Sequence, residues 1–319
     1  MQSAPVATQW RSGGTQGKCP SLYKLEQKTR RNQFRALTPL NHSPCFFSLA
    51  PTGGEGWGEG ANYSTIFQVC LVNVTMLIIN ADDWGRSHEE TDRALACYKK
   101  GRITSATAMV FMQDSARAAE VARDSGIDTG LHLNFSQNYT DTTGLSPSQI
   151  EAHNRIVRFF KSGKYAVLLY NPFLRNDFQN VFLTQKYEYF RLYGKSPSHL
   201  DGHQHLHLCA NMLLDALIPS GEKVRRSFSF FPGEKNFFNL AYRRWVDTRL
   251  AAKHRLTQYF FALSQHLDVE RLGRVVQLAS GATVELMTHP IAPREGELLL
   301  SEKFLEIVNG VPLGNYTAV

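Results

Sequence analysis

The sequence predicts an α/β fold of mainly parallel strands joined by crossover helices, closed as a barrel or left as an open sheet. Three observations point to it. From Met76 onward, short apolar runs alternate with helical patterns. Side chains able to bind metals or handle protons recur just after several of those runs, at the strand ends where parallel α/β folds carry their ligand sites. With 319 residues, 43% of them apolar and 20% charged, the chain can bury a large core and is not disordered throughout.

The elements follow in order. Met76 to Asn80 is a short apolar strand. Ser87-x-x-Glu90 is a capping box that opens a helix, and Gly101 can close it. Ile103 to Phe111 reads as a second strand, and Asp114 caps an alanine-rich helix that stops before Gly126. Ile127 to Phe135 is a third strand. Long helical patterns cover about 148–169 and 173–193, with Gly194 and Pro197 as terminators. His199 to Leu208 is another strand, followed by a helix over 210–218 and a strand near 223–231. Helices fill much of 237–279, and Thr283 to Thr288 is the last clear strand.

Residues 1–75 show no sustained period and include Gly/Pro/Ser-rich stretches such as Ser12 to Gly17 and Pro51 to Gly60. They read as an unstructured extension, with Met76 as the physiological start. This segment lacks the features of a secretory signal, although its Arg-rich, acid-poor first half leaves an organellar reading open. It carries seven basic and three acidic residues, so residues 76–319 hold only +3 of the net +7. That balance argues against nucleic acid as a partner. No apolar run is long enough to span a membrane. The five cysteines lack metal-type spacing and read as free thiols in a reducing compartment, hence the cytoplasm.

Four segments carry the chemistry: Asn80-Ala-Asp82-Asp83, Gly130-Leu-His132-Leu-Asn134, His199 to His207, and Glu285-Leu-Met-Thr-His289-Pro290. Adjacent aspartates would face opposite ways in a strand, but at the turn leaving one both can reach a single site. One carboxylate can then bind a cation while the other takes a proton from water. Asp201, His203, His205 and His207 share one strand face, because side chains repeat every two residues. Burying four such groups unpaired costs roughly one to three kcal/mol each, and a metal site compensates that cost. His132 and His289 gain weight from their positions after strands, and an imidazole such as His289 suits a general acid.

Together these pieces resemble the YdjC-like carbohydrate deacetylases, which include the chitooligosaccharide and hopanoid-associated deacetylases. The matching motifs are Asn-Ala-Asp-Asp-Trp-Gly (80–85), Gly101-Arg-Ile-Thr-Ser-Ala-Thr107, Gly-Leu-His-Leu (130–133), Pro197 to His207, Glu285 to Pro290, and the closing Leu313-Gly-Asn-Tyr316. Trp84 stands where the family usually has Phe, and residues 1–75 have no counterpart. The resemblance implies an irregular (β/α) barrel forming one domain over 76–319. It implies a divalent metal held by Asp83, His132 and His203, with Asp82 as general base and His289 as general acid. Asp201, His205, His207 and Arg225 would support these groups or touch substrate, and Arg225 or Arg226 would orient the base. The substrate would be an N-acetylated sugar, oligosaccharide or glycolipid head group, cleaved to acetate and an amino sugar. The family is usually described with magnesium, whereas one carboxylate and two imidazoles also suit zinc or another transition metal. A metal-dependent phosphoesterase and a non-catalytic carbohydrate-binding module are the alternatives. The sequence leaves the oligomeric state open.

Overall fold

Nine consecutive buried residues form the first strand of the computed structural model, which describes residues 75–319. The extension expected over 1–75 therefore lies, but for Thr75, outside the described residues, as do Cys19, Cys45 and Cys70. The described elements are β1 (Met76–Trp84), α1 (His88–Lys99), β2 (Ser105–Ala108), α2 (Ser115–Ser125), β3 (Asp128–Leu133), α3 (Pro147–Lys161), α4 (Arg175–Tyr193), β4 (Leu200–Gly202) and α5 (Ala210–Leu214). They continue with α6 (Phe237–Ala251), β5 (Tyr259–Ala262), α7 (Val269–Leu278), β6 (Thr283–Thr288), α8 (Pro293–Leu300), α9 (Glu302–Val308) and β7 (Leu313–Gly314).

The strands form one parallel sheet in the order β4-β3-β2-β1-β6-β5. β6 occupies one whole edge of β1, from Met76 to Ala81. The other edge is shared, with β7 beside Leu77 and Ile78 and β2 beside the chain from Asn80 onward. An extended segment, 222–229, connects the two ends of the sheet. On one side it exchanges backbone bonds with Leu200 of β4, at 2.8 and 2.9 Å. On the other it bonds to Arg255, at 3.0 Å in both directions, and to Phe260 of β5 at 2.8 Å. Those links close the irregular (β/α) barrel. Leu77, Ile78 and Ile79 are fully buried within it, each contributing roughly 1.5–3 kcal/mol by leaving water. Trp84 is equally buried, and its indole N–H donates to the Ala118 carbonyl at 3.1 Å, so the bulkier ring stays satisfied.

Several local expectations need correction. The helix expected to run to 169 ends at Lys161, ahead of Gly163, and 166–168 form a single 3-10 turn. Within the region expected to be helical, 237–279, the aromatic run Tyr259-Phe-Phe-Ala262 is a buried strand, because β-favouring residues sit between β6 and the closing segment. The segment near 223–231 makes isolated bridges at Lys223 and Val224 rather than a strand. Asp114 stands at the start of α2, but Arg117 holds its carboxylate at 2.8 Å and it caps no backbone N–H. Ser87 does accept from the Glu90 N–H, yet the Glu90 carboxylate pairs with Arg86 instead of completing the box.

The largest correction concerns His199 to Leu208. Only Leu200–Gly202 is strand, and 203–208 turn as a 3-10 segment with Gln204 and His205 in the left-handed region, at φ 53° and 58°. The four polar side chains therefore do not line one strand face. Gly202 is needed at the turn, since a Cβ there would lie 2.9 Å from the His207 nitrogen.

Candidate metal centre

The site lies at the carboxyl ends of β1, β3, β4 and β6. β1 would send Asp82 and Asp83 to opposite faces if it stayed regular. Instead its register with β2 shifts between Ala81 and Trp84, and Asp83 adopts φ 66°. A left-handed residue other than glycine costs roughly 1–2 kcal/mol. Here that conformation brings adjacent carboxylates into one site.

Asp83 is bonded by two imidazoles and one guanidinium. Its Oδ1 lies 2.9 Å from His203 Nδ1 and 3.3 Å from His132 Nε2, while Arg86 donates to Oδ2 at 2.9 Å. Burial alone would raise its pKa, but bonds from His132 and His203 outweigh that and hold the carboxyl well below the usual range. One ligand atom from each of Asp83, His132 and His203 lies within 4.8 Å of the others. Donors about 2.0–2.2 Å from a shared cation would stand close to 3 Å apart, so the observed spacings fit one. His132 is further prepared. It faces Asp201 across the β3–β4 register, and its Nδ1–H donates to Asp201 at 2.8 Å. That bond fixes the tautomer and leaves Nε2 toward Asp83, the usual arrangement of a histidine ligand. Burial lowers the His132 pKa, yet the carboxylates of Asp201 and Asp82 override it and push it up to about 10.

Asp82 has different company. Arg225, fully buried, forks onto it with two bonds of 2.7 Å, while Asn80 and Thr107 donate to its Oδ1 at 2.9 and 3.3 Å. Burial would raise its pKa, but the charge and hydrogen bonds of Arg225, together with nearby His132, lower it overall. The same guanidinium reaches Asp201 at 2.6 Å and Glu285 at 2.7 Å. Glu285 is pushed up to about 7 by burial, against the opposing pull of Arg225. The Tyr316 hydroxyl donates to it, and the Tyr316 ring stacks on His199 with centroids 3.6 Å apart. Gly130 makes room for His199, since a Cβ there would fall 2.5 Å from its ring.

His289 follows Thr288, which pairs with Ala81 next to Asp82. Its backbone N–H donates to Glu295 at 2.9 Å, and Glu295 lies 3.8 Å from its Nδ1. Burial acts to lower its pKa, but Glu295 and the charges of Asp82 and Asp83 raise it overall. His205 and His207 stay outside this group. His205 packs edge-on against Phe228 at 4.4 Å, and burial lowers its pKa to about 3. His207 donates through Nε2 to the Arg225 carbonyl at 3.0 Å, and burial lowers it to about 4. Arg226, the other arginine considered, pairs with Asp247 at 2.6 Å, away from the aspartates.

Sequence reading singled out neither Asn80, Thr107, Glu285 and Tyr316 nor the ring of His199 as parts of the site. Each lies inside a segment already quoted for its motif. The available signal was a polar residue at a strand position that should be apolar, Asn80 in β1 and Glu285 in β6 above all.

A family model described as YdjC-like protein matches residues 76–308. The carbohydrate deacetylase of Mus musculus is 27% identical over 250 residues, covering 68% of this chain and 78% of its own. The chitooligosaccharide deacetylase of Serratia marcescens is 29% identical over 134 residues, so the match spans about half of that relative, 51%, and 42% of this chain. A solved structure from Enterococcus faecalis, described as a cellobiose-phosphate cleavage protein, superposes with a TM-score of 0.53 at 19% identity over 76% of this chain and 97% of its own. That likeness supports the fold.

Proposed function

The chain belongs to the YdjC-like protein family, and we propose that it is a metal-dependent hydrolase that removes the acetyl group from an N-acetylated sugar or glycan. The observation that carries this reading is the division of labour between adjacent aspartates. Asp83 is gathered with two imidazoles, His132 and His203, as a ligand would be, while Asp82 is held by the two-bond fork of Arg225 and has one imidazole, His132, within 4.8 Å. The names of the relatives, carbohydrate and chitooligosaccharide deacetylase, supply the substrate class.

Asp83, His132 and His203 would hold one divalent cation. The resemblance points to magnesium, but two imidazole donors suit zinc or another transition metal better than a hard, oxygen-seeking ion. When bound, the cation supplies a Lewis acid and lowers the pKa of a neighbouring water. Asp82, ionised and fixed in direction by Arg225, takes the proton from the attacking water as its oxygen bonds to the acetyl carbon. His289 keeps a proton and gives it to the amine nitrogen as the C–N bond breaks, so acetate and an amino sugar leave. Asp201 orients His132, and Glu285 with Tyr316 orients Arg225. A phosphoesterase would call for a cationic cavity, whereas the site's buried guanidinium is already matched by Asp82, Asp201 and Glu285.

No helix among the described residues is long and apolar enough to cross a membrane. Cys97 and Cys209 are free buried thiols, in keeping with the cytoplasmic location we assign. Residues 1–75 we assign as an extension dispensable for catalysis. The test is acetate release from a panel of N-acetylated mono- and oligosaccharides by metal-stripped and metal-restored protein. Release that needs the metal supports the reading, and release undiminished in metal-free protein contradicts it.

A further inference from the structure

We infer that the face built by residues 161–175 and by α6 with its flanks, 235–253, docks on the surface of an anionic lipid bilayer. Both segments present large apolar side chains to solvent. Phe173 is 92% exposed, Phe238 81% and Phe237 78%, with Tyr165 at 63%, Leu169 at 59% and Trp245 at 47%. Scattered exposed apolar residues are ordinary, but a run of aromatics at this exposure marks an interaction surface. The two segments meet: Val167 and Leu168 from one, with Tyr242, Arg243 and Val246 from the other, line a single cavity of about 180 Å³. On α6, Phe238, Tyr242 and Trp245 fall at helical spacing on one side, and the rings of Tyr242 and Trp245 stack with centroids 6.1 Å apart.

Charge identifies the occupant. Residues 161–175 contain Lys161, Lys164 and Arg175 and no acid, with Arg175 paired to Asp215 at 3.2 Å and the two lysines left for an anionic surface. Residues 235–253 contain Lys235, Arg243, Arg244, Arg249 and Lys253 against Asp247 alone, and Asp247 is taken by Arg226 and the Ser227 N–H. Glu234, just outside, pairs with Arg271. These 34 residues thus carry +7, whereas 76–319 as a whole carries +3 and its remainder −4. The cations are interleaved with the rings, Lys164 over Tyr165 at 5.0 Å and Arg243 over Phe230 at 4.9 Å. Aromatic and aliphatic side chains with basic neighbours are the composition of an interfacial anchor, in which rings enter the headgroup layer and cations meet anionic lipid. A second copy of the chain fits badly, because a two-fold dimer through this face would set +7 against +7. The cavity also includes Gln204 and His205, directly after His203, so the docked face adjoins the candidate metal centre. This inference does not rest on the hydrolase reading.

The experiment uses the full chain with vesicles of phosphatidylcholine alone and of phosphatidylcholine with roughly 30% phosphatidylserine. Cosedimentation should be strong with the anionic vesicles, weak with the neutral ones, and reversed by salt. Trp245 reports directly: its emission should shift to the blue on binding, and the shift should vanish in Trp245→Phe. Phe173→Ser with Phe237→Ser and Phe238→Ser should weaken partitioning by roughly tenfold or more, as should Arg243→Gln with Arg244→Gln, while circular dichroism stays unchanged. Should the serine variant fail to fold, the arginine variant and the Trp245 shift decide alone. Wild-type protein that ignores anionic vesicles, folded variants that pellet like wild type, or variants that instead dissolve a lipid-free dimer would overturn the inference.

Discussion

Replacing Arg225 by Lys tests how the site's charges are organised. Arg225 is fully buried and makes two bonds to Asp82 of 2.7 Å, one contact to Asp201 of 2.6 Å and one to Glu285 of 2.7 Å. A lysine ammonium keeps the charge but cannot fork onto Asp82 while reaching both other carboxylates. At least two charge-assisted bonds are lost, at about 1.5–3 kcal/mol each, so a destabilisation of roughly 3–6 kcal/mol is expected. That is a large share of the 5–15 kcal/mol typical of a domain. The effect on Asp82 has a definite sign. Burial raises its pKa and Arg225 lowers it, so weakening Arg225 moves the pKa upward. In the native protein the lowered pKa adds stability above the unfolded carboxylate range, and that contribution is lost as pH falls through the folded pKa. In Arg225→Lys the loss begins at higher pH, and the acid limb of the kcat profile moves the same way because the base is protonated sooner. Urea unfolding from pH 4 to 8 and the pH–rate profile, with metal content measured beside them, check both. An unmoved acid limb in a variant that keeps its metal would refute the view that Arg225 sets the state of Asp82.

Three further outcomes are expected. His289→Ala should keep the metal and lower kcat by roughly 10²–10⁴-fold, flattening the alkaline limb that the raised His289 pKa creates; stoichiometry and a pH–rate profile check it. Glu285, pushed up to about 7, gives stability that is full below its unfolded pKa and is lost as pH rises through 7. Glu285→Gln should remove roughly 3 kcal/mol of that pH dependence, read as unfolding free energy at pH 5 and pH 8. Deleting residues 1–75 should leave circular dichroism and acetate release nearly unchanged; an insoluble or inactive 76–319 protein contradicts the boundary.

The parallel alternation was legible because β1 opens on the apolar run Met76 to Ile79 and β3 and β6 carry spaced apolar residues between helix signals, a pattern set by local periodicity. The histidine segment was misread for the same reason. Two-residue spacing from Asp201 to His207 looks like a strand face, but the turn at Gln204 and His205 depends on room beside Gly202 that only the tertiary structure shows. β5 was hidden because Tyr259-Phe-Phe-Ala262 is too short to display a period and sits between two real helices. In the site, Asp82, Asp83, His132, His203 and His289 stood out by residue type after strands. Their pairing did not, since it comes from the register of β3 with β4, the shift in β1, and Arg225 arriving on the closing segment.

The central claim is that neighbouring aspartates divide two jobs, and metal stoichiometry measured beside kcat for Asp82→Asn and Asp83→Ala tests it most directly. Asp83→Ala removes the anionic member of the set with His132 and His203, so metal binding should weaken strongly and activity fall with it. Asp82→Asn should retain close to the native metal content while kcat falls by roughly 10²–10⁴-fold with KM little changed. Loss of metal from Asp82→Asn together with its retention in Asp83→Ala would reverse the roles, and full metal and activity in both variants would contradict the account.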